Sequence, residues 1–209
     1  MDSRVRIIGG RWKRSQLPVL DLEGLRPTPD RVREVLFNWL GQDLTGWDCL
    51  ELFAGTGVLG FEAASRGAQR VTMVERHPRL VGSLEAVKAR LKAESVTVVR
   101  AEALAWLNST PVRVHDLVLL DPPYHAGWLE RLLPVTQHRL APEGRIYAEG
   151  EQALTDDWLE SIGAGSLAVM RAARAGQVHY HLLGPRLEAR APAGIPAGEQ
   201  RGDLSNREI

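Results

Sequence analysis

Cysteine is almost absent from this sequence. Cys49 is the single one among 209 residues. That excludes an internal disulfide and a structural zinc site built on several thiolates, and it suits a reducing compartment such as the cytoplasm. Lysine is nearly as scarce: of 26 basic residues, 23 are arginine and 3 are lysine. Arginine is the better fork for phosphate and stacks on bases, although a high-GC coding bias produces the same skew. Net charge is missing as well, because 26 acidic residues balance the basic ones. A surface cationic all over is therefore excluded, and only a local excess can attract a polyanion. No apolar run approaches the roughly 18 residues of a membrane span. No apolar stretch follows Met1-Asp2-Ser3-Arg4, so no secretory leader is expected. The remainder is globular in character, with 44% hydrophobic and 25% charged residues, and the chain is long enough to bury a full core.

One local charge excess stands at the start. Residues 1–14 carry Arg4, Arg6, Arg11, Lys13 and Arg14 against one acid, Asp2. Residues 4–20 read as a β-hairpin, with Val5, Ile7 and Ile8 on one arm and Leu17, Val19 and Leu20 on the other. Gly9-Gly10 and the run Arg11-Trp12-Lys13-Arg14 lie between the arms. Five cations around Trp12 suit phosphates and one stacked base, or a merely solvated turn. A stiff loop, Leu25-Arg26-Pro27-Thr28-Pro29, precedes a helix expected to take Thr28 as N-cap and Pro29 as its first residue. Val32, Val35, Leu36, Trp39 and Leu40 form its apolar face, and Gly41 ends it. Arg31 and Arg33 fall off that face, as RNA contacts or as a solvated surface.

From residue 48 onward strands alternate with helices. Strands are expected at 48–53, 70–75, 96–100, 116–120 and 145–149. Helices are expected at 79–92, lined by Leu80, Leu84, Val87 and Leu91, and at 127–140, where Pro134 forces a kink or break. This is the pattern of βαβ units and a parallel sheet covered on both faces. Segments 166–171 and 177–183 read as a hairpin at one sheet edge, and 184–209 as a disordered tail. The expected division is a basic hairpin at 1–24, an α/β domain at 25–183 and the tail.

Two motifs carry chemistry. Glu51-Leu52-Phe53-Ala54-Gly55-Thr56-Gly57-Val58-Leu59-Gly60 places G-x-G-x-x-G in the strand-to-helix turn that a nucleoside cofactor needs. Glu75 ends the next strand, 20 residues after Gly55, where an acid can accept both ribose hydroxyls. Glu102 follows the third strand and can meet an adenine edge or simply start a helix. The fourth strand runs into Asp121-Pro122-Pro123-Tyr124. Two prolines fix the backbone and remove two N–H donors, which leaves carbonyls, a carboxylate and a flat ring. That set suits an exocyclic amine on a planar base, gripped so that its lone pair faces a methyl donor.

Ala54-Gly55-Thr56-Gly57 followed by Asp121-Pro122-Pro123-Tyr124 resembles the S-adenosylmethionine-dependent amino-methyltransferases. Residues 6–12 and 25–40, with Ala175-Gly176-Gln177-Val178 and Tyr180, are similar to the bacterial family that methylates a guanine N2 of 16S rRNA in the small ribosomal subunit. The resemblance covers residues 4–183 and implies a Rossmann-like seven-stranded methyltransferase fold. Its parallel strands would order as 3-2-1-4-5, with the last strand antiparallel at one edge. It implies methylation at guanine 966, S-adenosyl-L-methionine as cofactor, 16S rRNA in the small subunit or its assembly intermediate as partner, and no membrane or metal. Monomeric behaviour is expected. Asp121 and the carbonyl of Pro122 would hold the amine, with Pro123 shaping the turn and Tyr124 stacking on the base. Glu51, Phe53, Ala54, Gly55, Thr56, Gly57, Glu75, Arg76, Glu102 and Ala103 would surround the cofactor, with Arg26 and Thr28 nearby. Arg4, Arg6, Arg11, Trp12, Lys13, Arg14, Arg31 and Arg33 would meet RNA.

Three other readings are weighed. A DNA adenine or cytosine amino-methyltransferase needs a target-recognition region, and 124–145 leaves little room for one. A nicotinamide-dependent oxidoreductase would share the glycine turn but lacks an evident hydride-transfer acid or base. A non-catalytic RNA-binding factor would not need an intact Asp121–Tyr124 motif. His77, His125, His179 and His181 lack metal-ligand spacing.

Overall fold

The computed structural model describes residues 3–124 and 126–186. His125 and the stretch 187–209 of the expected tail lie outside the described residues. A two-stranded antiparallel hairpin, β1 (Arg4–Arg6) and β2 (Gln16–Pro18), comes first, with Val5 opposite Leu17. Helix α1 follows at Asp30–Leu40. Then come β3 (Asp48–Leu52), α2 (Val58–Ser65), β4 (Arg70–Glu75), α3 (Pro78–Leu91), β5 (Val96–Arg100) and α4 (Ala103–Ser109). The chain continues through β6 (His115–Leu120), α5 (Trp128–Thr136), β7 (Leu140–Gly150), α6 (Asp156–Ser161), β8 (Leu167–Ala175) and β9 (Val178–Pro185).

The main sheet has seven strands in the order β5-β4-β3-β6-β7-β9-β8. The first five are parallel, and β9 runs antiparallel to both β7 and β8. The expected 3-2-1-4-5 order and the terminal hairpin are therefore both found. One detail differs: the last strand is not the edge. β9 lies inside β8, and the burial of each explains the choice. Tyr180 through Gly184 on β9 are buried, whereas Met170, Arg171, Ala172 and Arg174 on β8 are exposed. Exposed arginines on the outer strand also discourage edge-to-edge pairing. β9 extends to Pro185, two residues past the boundary expected for the α/β domain.

Period-2 alternation sends successive strand residues to opposite faces. Cys49, Leu117, Leu119 and Tyr147 join the core beneath the hairpin, α1, α2 and α3. Leu50, Leu52, Val118, Leu120, Ile146 and Ala148 join the core beneath α4, α5 and α6. The hairpin belongs to the first core, because Ile7 and Leu17 are fully buried against it with Val32, Leu36 and Phe37.

One local expectation is corrected and one is met. Thr28 does not cap α1. Pro29 is the N-cap, extended at φ −58° and ψ 149°, and no side chain caps this end; the Thr28 hydroxyl turns instead to Asp121. Pro134 lies inside α5, which ends two residues later and passes into a 3₁₀ turn at Gln137–Arg139. That is the break expected where proline removes a hydrogen bond.

Candidate active site

The C-terminal ends of the five parallel strands form one rim. On it stand the turn after β3, Glu75 at the end of β4, Glu102 after β5, Asp121 after β6 and Glu149 near the end of β7. Open α/β sheets bind ligands at this edge. The glycine turn and Glu75 are joined directly: the Gly55 N–H donates to Glu75 Oε2 at 2.9 Å, and the His77 N–H donates to Oε1 at 2.7 Å. The carboxylate is thereby aimed, and each oxygen keeps a lone pair for a ligand hydroxyl.

The three glycines do different jobs. Gly55 has φ +54°, and a Cβ there would meet only Leu25 Cδ1 at 3.2 Å and the Phe53 carbonyl oxygen at 3.8 Å. Its face is open to an approaching group. A Cβ on Gly60 would strike Glu51 Oε2 and Met73 Cε, so this glycine serves close packing of α2 on the sheet. Gly57, at φ +72°, is the left-handed N-cap of α2. Phe53 also has positive φ, +62°. A non-glycine residue in that region carries strain of order 1–3 kcal/mol. Its ring packs edge-on to Trp128, with centroids 5.1 Å apart.

Below the turn, Glu51 is buried, and its Oε2 has no hydrogen-bond partner. Burial pushes its carboxyl well above the usual range; the Gly60 N–H opposes the shift, and Asp121 and Glu75 add to it. Asp121 is raised in the same direction, first by burial and then by the charge of Glu149, with the Thr28 hydroxyl pulling back at 3.3 Å. Glu149 is raised by burial and relieved by Tyr147, whose hydroxyl donates to Glu149 Oε1 at 2.7 Å, and by Thr28. Tyr124 is half exposed, and burial with the nearby carboxylates pushes its phenol up to about 12, so it is uncharged at neutral pH. These acids carry no ion pair among the described residues. An open turn, an aimed carboxylate and an orphaned buried oxygen fit a nucleoside ligand bearing a cationic end.

Glu102 is a helix cap in this structure. Its carboxylate caps α4, accepting from the Leu104 N–H at 3.2 Å and the Ala105 N–H at 2.7 Å. Ala103 is buried in the first turn of that helix, Arg76 is exposed beside Glu75, and Ala54 and Thr56 are buried in the glycine turn. Arg26 is exposed and close enough to Tyr124 to pull its phenol slightly down. His77 caps α3, its Nδ1 accepting from the Arg79 N–H at 3.2 Å.

The hairpin cations Arg4, Arg6, Arg11, Lys13 and Arg14 are exposed, as is Arg31 on α1. Arg11 lies over the half-buried Trp12, 4.0 Å from the ring centroid. A groove of about 360 Å³ runs between the hairpin and the loop before α1, lined by Arg4, Arg6, Gln16, Thr28 and Asp30 among others. Arg33 is a correction. It is fully buried and cannot meet RNA. Its guanidinium donates to the carbonyls of Thr28 and Arg6 and to Glu62 Oε1 at 2.6 Å. The helical wheel placed it off the apolar stripe, but the hairpin covers that side of α1 as well. Glu62, also fully buried, accepts from the Ile8 N–H at 2.5 Å and the Gly9 N–H at 3.2 Å. Sequence reasoning missed Glu62 and Glu149. The signal for each was an acid inside an otherwise apolar segment, Phe61-Glu62-Ala63-Ala64 and Ile146-Tyr147-Ala148-Glu149.

The family described as Conserved hypothetical protein 95 matches residues 5–184. The chain belongs to this family. It is 41% identical over 183 residues to "Ribosomal RNA small subunit methyltransferase D" of Escherichia coli strain K12, covering 86% of this chain and 89% of that protein. A protein of the same description from Haemophilus influenzae is 42% identical over 153 residues, covering 71% and 79% respectively. The solved structure described as "Putative methyltransferase yhhF from Escherichia coli" superposes with a TM-score of 0.77 at 38% identity, covering 89% of this chain and all of that one. Within the Conserved hypothetical protein 95 family the fold is thus the Rossmann-like seven-stranded methyltransferase fold, with the antiparallel hairpin added at its N-terminus. No helix among the described residues is long and apolar enough to cross a membrane.

Proposed function

We propose that this protein transfers a methyl group from S-adenosyl-L-methionine to the N2 amine of a guanine in 16S rRNA of the small ribosomal subunit. The observation that carries this reading is the half-buried Asp121, opening the Asp121-Pro122-Pro123-Tyr124 turn one strand away from the Gly55–Glu75 pair. The Escherichia coli and Haemophilus influenzae relatives, by their descriptions, support rRNA as the substrate class. The proposed setting is cytoplasmic, with the enzyme acting as a monomer.

When bound, the cofactor supplies an electrophilic methyl on a sulfonium. Glu75 would accept from its ribose hydroxyls, and the open face of Gly55 would admit its amino-acid end. Asp121 and the Pro122 carbonyl take the hydrogens of the guanine amine, which is a poor nucleophile while its lone pair is delocalised into the ring. Holding both hydrogens favours a pyramidal nitrogen with its lone pair turned toward the methyl. Rate enhancement then comes from positioning and from charges already in place. Tyr124, uncharged, stacks on the base and keeps water from the reacting atoms. The nitrogen would gain the methyl as the methyl–sulfur bond breaks, leaving the cofactor as a neutral thioether, and would then lose one proton to solvent. The groove between the hairpin and the loop before α1 is lined in part by Thr28, the residue bonded to Asp121. RNA phosphates held by Arg4, Arg6, Arg11, Lys13 and Arg14 would thus lie within reach of the amine site.

The DNA alternative is disfavoured by space. Only α5 and the 3₁₀ turn separate β6 from β7, which leaves no target-recognition module. The test is to incubate the protein with methyl-labelled S-adenosylmethionine and small subunits lacking guanine-N2 methylation, and to map the label. Label in one N2-methylguanosine of 16S rRNA is expected. Cofactor binding without label in any guanine would sink the substrate assignment, and absence of cofactor binding would sink the reaction class.

A further inference from the structure

Glu149 has no part in the function proposed so far, yet it stands beside the central acid. β6 and β7 pair in parallel with Leu120 opposite Ala148, so the next residues along each strand, Asp121 and Glu149, are neighbours. Both point to the same face of the sheet by alternation, the face on which Tyr147 lies. Glu149 is 4% exposed. Glu149 is among the residues that line a cavity of about 160 Å³, together with Pro122, Pro123, Tyr124, Trp128 and Trp158. That volume is an order of magnitude above the roughly 10–15 Å³ one water needs. The arrangement is two adjacent acceptors, Glu149 buried and Asp121 half-buried, at the sheet edge beside an aromatic cavity.

Guanine presents two adjacent donors at the edge where its amine stands, the N2 amine and the ring N1–H. Adenine and cytosine present an amine beside a bare ring nitrogen, which accepts. A base taken into a pocket is read by hydrogen bonds along this edge, and a carboxylate next to the amine site pairs with a donor and repels an acceptor. Resting on the reading of Asp121 as the group that holds the amine, we propose that Glu149 accepts the N1–H of the target guanine. It would thereby select guanine over adenine and cytosine. Tyr147 and Thr28 would fix the orientation of this reader.

The test compares small subunits reconstituted with guanine or with 2-aminopurine at the methylated position. 2-Aminopurine keeps the 2-amine but has a bare N1. Wild-type protein should prefer guanine by on the order of 100-fold in kcat/KM, because the analogue leaves a buried acceptor facing an acceptor. Glu149→Gln, whose amide can accept from N1–H or donate to bare N1, should narrow the preference to within about tenfold. Tyr147→Phe should keep the wild-type preference, whatever it does to the rate. Equal use of the two bases by wild-type protein overturns the inference without any variant. So does a Glu149→Gln protein that is slower but retains the full preference, since Glu149 would then act only through packing. Failure of wild-type protein to methylate guanine subunits would instead remove the underlying reading, and this inference with it.

Discussion

Glu62 is a carboxyl taken fully out of water and Asp121 one taken partly out, and their surroundings treat them differently. Burial raises Glu62, but the Ile8 N–H, Arg33, Arg66 and the Gly9 N–H all oppose that shift. Burial raises Asp121, the charge of Glu149 raises it further, and only the Thr28 hydroxyl opposes. Glu62 therefore brings its partners within the fold and is a structural anchor: it ties the hairpin to α1 and α2. Asp121, Glu149 and Glu51 have fewer donors and no cation among the described residues, which is costly unless a donor-rich or cationic ligand supplies them. The two regions share one residue. Arg33 pairs with Glu62 and also holds the Thr28 carbonyl, and the Thr28 hydroxyl contacts Asp121. The anchor thus positions the loop that closes the site.

Removing the cation from the anchor should produce the largest effect. Arg33→Met leaves Glu62 buried with a weaker set of partners, and breaking one side of a buried pair typically costs 3–5 kcal/mol. Arg66 remains at 3.4 Å, so a loss of about 3 kcal/mol is expected in urea unfolding. A loss below about 0.5 kcal/mol would mean that the network is ornamental. Next in size is Asp121→Ala, expected to lower methyl transfer by on the order of 100-fold or more while the fold persists. Unchanged rRNA methylation would remove Asp121 from the chemistry.

The contrast is sharpened by the sign of a stability change. A carboxyl whose folded pKa lies above its unfolded value stabilises most below the unfolded pKa, and that stability is lost as pH rises through the folded pKa. Asp121→Asn keeps an acceptor for Thr28 and removes this loss. The variant should therefore melt a few degrees above wild-type protein at pH 7 and show a smaller advantage near pH 4. A variant less stable at both pH values would show that Asp121 supports the fold.

How much of this was legible follows from what each signal depends on. The glycine turn, Glu75 and the Asp121–Tyr124 exit are local in sequence and could be read directly, as could the alternation that builds the sheet. Arg33 could not, because its burial depends on a hairpin folding back from 27 residues earlier to place the Arg6 carbonyl on its guanidinium. Thr28 had a helix-capping reading that its local sequence supports, and a contact 93 residues away won. Glu149 becomes meaningful only when β7 is set next to β6. β9 displaced β8 from the inner position because five consecutive buried residues need cover on both sides, a preference that short apolar segments do not declare.

The smallest effects should come from the hairpin surface, where charge meets water rather than a buried acid. Lys13 and Arg14 are exposed and form no ion pair among the described residues, so Lys13→Gln and Arg14→Gln should leave stability within about 0.5 kcal/mol of wild type. If these cations neutralise phosphates, KM for the ribosomal substrate should rise while kcat stays constant. The slope of log affinity against log salt should fall by about one for each cation removed. Arg31→Gln sets the boundary of this surface: a unit loss of slope would extend the RNA path onto α1, and an unchanged slope would confine it to the hairpin. The same measurement on Arg33→Met separates the two regions, because a buried arginine contributes no counterion release of its own. Binding there should weaken only as far as the hairpin comes loose, in proportion to the loss of stability and with the salt slope intact.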